Sequence, residues 1–254
     1  MGISGGNSAI KIRFEARRYS PSYNARMFNI RCEWGPNGAR KLAEECELTI
    51  IVDVISFSTS VDIAVSRSIQ VLPYSGPADL VDQYAERHNA LAASRRGTGI
   101  VSLSPASFAK MEYVERVVLP SPNGSTLTLM AAGSSDVYCG CIRNASAVAA
   151  AAAAYRTIGV VPAGEKWPDG SLRPALEDWL GAGAIISRLS GLWSPEAAAA
   201  VSAFELHKNN LRETFESIPS GVELLEIGFQ EDVSLAAEYD VSSSVPRFRR
   251  TGYK

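Results

Sequence analysis

The stretch LPSPNGSTLT, Leu119 to Thr128, closes an apolar run and carries an Asn-Gly pair flanked by serines. Asn-Gly between two apolar runs is the commonest short hairpin signal, and a hairpin here would make the region antiparallel. The residues that follow decide otherwise. Leu127, Met130 and Ala131 recur at i, i+3 and i+4, the spacing of one helical face. Gly133 then stands where a glycine ends a helix. Met130-Ala131-Ala132-Gly133 offers no returning strand of period two. Ser121 to Ser125 is therefore expected as a strand-to-helix loop. A helix N-terminus presents unpaired N–H groups and a partial positive charge, which suits phosphate, sulfate or carboxylate. Ser121, Asn123 and Ser125 add hydroxyl and amide hydrogen bonds there. The plainer alternative is a helix capped by its own serine.

Working outward, the same strand, polar loop and helix recur. ELTIIVDVI (Glu47 to Ile55) precedes SFSTSVDIAVSRS, with Val61, Ala64 and Val65 at helical spacing. DVYCGCI (Asp136 to Ile142) leads through Arg143 into NASAVAAAAAAY, and TIGVVPAG (Thr157 to Gly164) precedes PALEDWLGAGAIISRLSGL. Continuously apolar strands alternating with helices predict a largely parallel sheet covered on both faces. The expected class is α/β: a three-layer α/β/α arrangement with a largely parallel or mixed sheet. It forms a single domain over 1–254, or two subdomains flanking a cleft.

Composition narrows the function. Net charge is -2, with 46% hydrophobic and 20% charged residues, so no field favours nucleic acid or an anionic membrane. Arg247, Arg249, Arg250 and Lys254 read as a solvated basic end. No run approaches the ~20 apolar residues that span a bilayer. The N-terminal stretch lacks a secretory pattern, so a cytoplasmic location is expected. Cys32, Cys46, Cys139 and Cys141 are then expected as thiols. Cys139-Gly-Cys141 lacks the second close ligand pair of a structural zinc site, and His88 and His207 stand alone.

The loops share a chemistry. Asp53 ends the first strand and is followed by Ser56, Ser58 and Thr59; Asn144 and Ser146 follow the third strand, and Gly164-Glu165 the fourth. In a parallel sheet such loops share one edge, where open α/β proteins bind ligands. Carboxylate and hydroxyl oxygens suit Mg²⁺, which binds one or two carboxylates, waters and substrate phosphate. The acidic candidates are Asp53, Glu165, Glu177, Asp178 and Asp232. Each has a structural alternative: Glu177 and Asp178 sit early in a helix, where acids favourably meet the dipole, and Asp232 suits a helix cap. A charge at the end of an apolar strand, as at Asp53, is costly unless paired or metal-bound. Walker, Rossmann, HExxH and GxSxG signatures are absent. Two histidines far from the loops argue against a Ser-His-Asp triad.

Taken in order from Ile50 to Pro246, five short segments resemble the 2-phosphosulfolactate phosphatase (ComB-like) family. They are VDVISFSTS, SPNGST, Asn144-Ala145-Ser146, PAGEKWPDGSLRPALEDWLGAGAI and EDVSLAAEYDVSSSVP. The resemblance implies an α/β, Mg²⁺-dependent hydrolase of 2-phosphosulfolactate or a related phosphorylated acid. By position it selects Asp53, Ser58, Thr59, Asn123, Gly124, Asn144, Gly164, Glu165, Glu177, Asp178 and Asp232. One departure stands out: the family's first motif usually has arginine where this chain has Ser56. Serine lacks the bidentate fork that clamps an oxyanion. Arg143 and Lys166 are the neighbouring cations available to replace it, with a solvated surface charge the alternative for each.

The expected mechanism has Mg²⁺ on Asp53 with Glu165 or the Glu177/Asp178 pair, lowering the pKa of a water for in-line attack. Asn123, Asn144 and the following amides hold the phosphoryl group, assisted by Ser58, Thr59, Ser121, Gly124, Ser125 and Gly164. Asp53 as nucleophile ranks second, because Ile55 stands where a haloacid-dehalogenase pattern has an acid. The partner is a small anionic phosphate ester, with neither nucleic acid nor membrane, and a homo-oligomer is left open. A non-catalytic phosphometabolite-binding protein is the alternative from another class.

Overall fold

The computed structural model describes residues 28–254, so the N-terminal stretch lies outside the described residues. The described chain begins with β1 (Ile30–Cys32), α1 (Gly35–Glu45), β2 (Leu48–Val52), α2 (Phe57–Ser66) and β3 (Gln70–Tyr74). Next come α3 (Val81–Arg87), β4 (Leu91–Ala92), α4 (Pro105–Lys110), β5 (Arg116–Pro120), α5 (Gly124–Ala131), β6 (Asp136–Gly140), α6 (Ala145–Ala152) and β7 (Ile158–Pro162). A hairpin of β8 (Glu165–Lys166) and β9 (Leu172–Arg173) leads into α7 (Leu176–Ile186). Then α8 (Pro195–His207), α9 (Leu211–Ser217), α10 (Pro219–Glu226) and α11 (Gln230–Ala236) precede β10 (Phe248–Arg249) and β11 (Gly252–Tyr253).

β1, β7, β2 and β6 form a parallel sheet in that order. Its apolar strands are buried on both faces. Leu48, Ile50 and Val52 meet Val148, Leu180, Ile185 and Phe204 from α6, α7 and α8. On the other face Ile51, Cys139 and Val161 meet Leu42, Phe57, Val61 and Leu127 from α1, α2 and α5. This is the three-layer α/β/α arrangement expected from the alternation.

A second, mixed sheet lies beyond. Its order is β10-β11-β3-β5-β4, and Val71, Val117 and Leu119 pack on the α1/α2/α5 layer. Val118 and Leu72 face outward onto α3. The strand leading into SPNGST therefore pairs with β3 rather than β2. In consequence α2 carries the chain from the first sheet to the second, and α5 carries it back. Full burial of Leu127 contributes about 1.5–3 kcal/mol to anchoring α5 in that layer. As its sequence foretold, α5 ends at Ala131 with Ala132 as its cap, and the following Gly133 adopts φ +98°.

Val52 pairs with both Gly140 and Pro162, so β2, β6 and β7 end level with one another. Their following loops emerge at one edge, and the β5–α5 loop reaches it from the second sheet. Among the described residues no helix is long and apolar enough to cross a membrane. All four cysteines are buried, unpaired thiols.

Candidate active site

Asp53 is the centre of this edge. It follows the last residue of β2 and is 4% exposed. Its Oδ2 accepts the Gly124 amide at 2.7 Å and the Ser121 hydroxyl at 3.4 Å. Ser58 Oγ accepts the Asp53 amide at 2.9 Å, and the Ser58 amide donates to the Asp53 carbonyl. The first amide of α5 thus reaches the carboxylate, and the Phe57 amide at the start of α2 also favours its charged form, as the positive ends of helices do. Gly124 permits this approach. A β-carbon there would stand 2.2 Å from the Phe57 ring and 2.8 Å from Asp53 Oδ2.

Despite these amides, the Asp53 carboxyl is pushed up to about 7. Burial is the main cause and the negative charge of Glu165 the next; the Gly124 and Phe57 amides pull it back, and Glu177 adds a smaller rise. Burial and repulsion from Asp53 and Glu177 raise Asp178 as well. Burial raises Glu177, against a hydrogen bond from Ser220, and raises Glu165, against one from Asn123. The structure thus gathers Asp53, Glu165, Glu177 and Asp178 into one electrostatic group.

Within it the roles diverge. Asp178 accepts the Val54 amide at 2.7 Å and the Gly164 amide at 2.8 Å, tying the β2–α2 loop to the β7–β8 loop. Gly164 has φ +70°, and a side chain there would meet Arg173 O at 2.9 Å. Glu165 Oε2 accepts Asn123 Nδ2 at 3.1 Å, joining a loop of the first sheet to one of the second. Asn123, Gly164, Glu165 and Lys166 line a cavity of about 240 Å³.

Other sequence candidates turn inward. Ser58 Oγ also meets Cys139 Sγ at 3.2 Å, Thr59 Oγ1 donates to Val54 O at 2.8 Å, and Ser125 Oγ donates to Leu119 O at 2.8 Å. These hydroxyls close the turns that present Asp53 and Asn123. Asn144 is fully buried; its Oδ1 accepts the Cys141 amide at 2.9 Å, and its Nδ2 has no hydrogen-bond partner among the described residues. Ser146 gives its amide and hydroxyl to Asp240, which occupies the N-terminus of α6. Asp232 sits elsewhere, its Oδ1 accepting Ser104 Oγ at 2.6 Å and the Ala106 amide at 3.1 Å at the start of α4. Arg143 is committed to Asp62, at 3.0 Å, and to Glu238. Lys166 is exposed on β8.

Two arginines escaped the sequence reading. Arg173 partly offsets the rise that burial imposes on the Glu165 and Glu177 carboxyls and lies over the Trp167 ring at 5.6 Å. It lay within the PAGEKWPDGSLRPALEDWL segment, where its position opposite Glu165 across a hairpin was the available signal. Arg96 places Nη2 2.9 Å from Ser56 Oγ. No local pattern in SRRGTG announced that contact across 40 residues.

A divalent cation suits this donor set. Among the described residues no group of three His, Cys, Asp or Glu side chains is poised to hold a metal ion. Mg²⁺ asks for less, one or two carboxylates with water and phosphate supplying the rest. Asp53 and Glu165 are the fitting pair, since their mutual repulsion in a buried place is what a cation relieves.

A family model described as 2-phosphosulpholactate phosphatase matches residues 37–251. The chain belongs to the 2-phosphosulpholactate phosphatase family. It is 28% identical over 206 residues to the 2-phosphosulfolactate phosphatase of Methanothermobacter thermautotrophicus, covering 80% of this chain and 87% of the relative. A "Probable 2-phosphosulfolactate phosphatase" of Gloeobacter violaceus is 34% identical over 99 residues, covering 39% of this chain and 40% of the relative. Membership of the 2-phosphosulpholactate phosphatase family makes the chain a phosphoric monoester hydrolase. The family match spans Asp53, Asn123, Asn144, the four-carboxylate group and both arginines.

Proposed function

We propose that this chain hydrolyses 2-phosphosulfolactate, or a close phosphorylated acid, with Mg²⁺ held by Asp53 and Glu165. The observation that carries the reading is the Asp53 carboxyl. It is buried, accepts the Gly124 amide at the start of α5 and the Ser121 hydroxyl, and is raised by that burial and by the negative charge of Glu165. Bound there, Mg²⁺ supplies the positive charge that draws electron density from a phosphoryl group and acidifies water. The rest is done by the chain. Asn123 and Lys166 border the 240 Å³ recess that receives the phosphoryl oxygens, and Asn123 orients Glu165 through its hydrogen bond. Asp178 fixes the two loops carrying Asp53 and Glu165 relative to each other. Arg173 balances the outer carboxylates. The names of the two relatives support the choice of substrate.

Phosphate release from 2-phosphosulfolactate, with Mg²⁺ or with a chelator, tests the reading. Turnover should require the metal, and Asp53→Asn should lower kcat/KM roughly 10³-fold, the several kcal/mol expected of metal-supported charge stabilisation. Equal turnover in chelator, or full activity in Asp53→Asn, would overturn it.

A further inference from the structure

Arg96 lies on the loop between β4 and α4, and its surroundings are those of a binding group. Nη2 donates to Ser56 Oγ at 2.9 Å and to Leu103 O at 3.2 Å. Asp232 Oδ2 stands 3.6 Å away, beyond hydrogen-bond length. That buried oxygen has no hydrogen-bond partner among the described residues. The guanidinium also lies over the Phe229 ring at 5.2 Å. Side-chain exposure is 17% for Arg96 and 1% for Asp232. Desolvating a cation costs free energy, and one carboxylate beyond bonding range offsets that only in part.

Arginine carries five N–H donors in a rigid fork. Among the described residues only Nη2 is engaged. Arg96 also lines a groove of about 840 Å³ with Arg95, Leu103 and Pro120. Pro120 ends β5 and adjoins Ser121, whose hydroxyl reaches Asp53. Ser56 follows Asp53 by three residues and begins the turn into α2. The groove bearing Arg96 therefore borders the crevice bearing Asp53. Asp79 and Asp82 also line it, but both are exposed, where solvent screens their charge.

We propose that Arg96 is a specificity-determining residue that binds the second oxyanion of the substrate, a carboxylate or sulfonate beside the phosphoryl ester. The proposal rests on the phosphatase reading above, whose substrate carries two anionic ends. Ser56 alone offers a hydroxyl, whereas the Arg96 fork donates bidentately to such an oxyanion. Asp232 and Phe229 act through Arg96 as positioning residues, holding the plane of the guanidinium. A second anionic end thus separates preferred substrates from neutral phosphate esters.

The test uses the full chain with Mg²⁺ and two esters of similar size, phospholactate and isopropyl phosphate. In Arg96→Gln the ratio of kcat/KM for the acid ester to that for the neutral ester should fall roughly 10- to 100-fold, mainly through KM. Arg96→Lys keeps the charge and the pairing with Asp232, and should fall between wild type and Arg96→Gln. It decides the question if the glutamine variant does not fold. An unchanged ratio in the folded variants would overturn the proposal. Calorimetric titration with lactate and with a sulfonate analogue separates the two readings. If wild type turns over neither of these esters nor 2-phosphosulfolactate, the phosphatase reading falls. Oxyanion binding weakened in Arg96→Gln would still sustain the anion site, and equal binding by both proteins would end it.

Discussion

At Asp53 the local amides oppose burial and the wider charge, and burial wins. Gly124 and Phe57 donate to it, which favours the ionised form, but burial and Glu165 outweigh them. The sign of the resulting pH dependence follows. The folded value of about 7 exceeds the ordinary unfolded value near 3.9. Below about pH 4 the group is protonated in both states and changes nothing. As pH rises from about 4 to about 7 the unfolded chain ionises first, and stability is lost until the folded carboxyl ionises too. Above about pH 7 the full penalty remains, on the order of 2 kcal/mol or more. Metal-free Asp53→Asn should therefore melt higher than wild type at pH 8, by about 2–4 °C for each kcal/mol recovered. The gain should vanish near pH 4. Thermal unfolding of both proteins at the two pH values checks this, and equal melting at pH 8 would contradict it. Asp53 was legible in the sequence because a lone acid ending an apolar run is costly. Arg96 was not, because its partner Ser56 lies 40 residues away across the fold.

Among elements, the two helices that pass between sheets do most to build the site. The helix after SPNGST was readable from Leu127, Met130, Ala131 and Gly133, whose spacing is local. The sheet to which its strand belongs was not readable, because pairing of β5 with β3 is a long-range choice. β3 carries Pro73, and β4, β10 and β11 are two residues each, too short for any period to show. Helix N-termini also proved less open than their loops suggested. Asp240 fills that of α6, and Asp232 that of α4. Between elements the decisive tie is Asp178, which was readable as an acid near a helix start but not as a brace. In Asp178→Ala the Val54 and Gly164 amides would be left buried without acceptors, at about 1–3 kcal/mol each before relief from removing a buried charge. Unfolding should show a net loss on the order of 2 kcal/mol, with kcat/KM reduced as Glu165 loses its fixed distance from Asp53. Unchanged stability and unchanged turnover would refute the bracing role.

For the whole molecule, the crevice lies at the meeting of two sheets rather than along the edge of one. Asp53 and Glu165 follow strands of the first sheet; Ser121, Asn123 and the Arg96 loop come from the second. A substrate with two anionic ends would accordingly touch both. This joint origin explains why the α/β class was evident from the alternation while the site was only partly evident. The alternation records each strand's burial, but not which sheet it joins. The most direct measurement is a crystal structure with Mg²⁺ and a phosphoryl analogue such as vanadate. Mg²⁺ should lie about 2.0–2.1 Å from carboxylate oxygens of Asp53 and Glu165, with the analogue beside Asn123. A metal bound at Asp232 or Asp240, or an analogue seated away from Asp53, would contradict it.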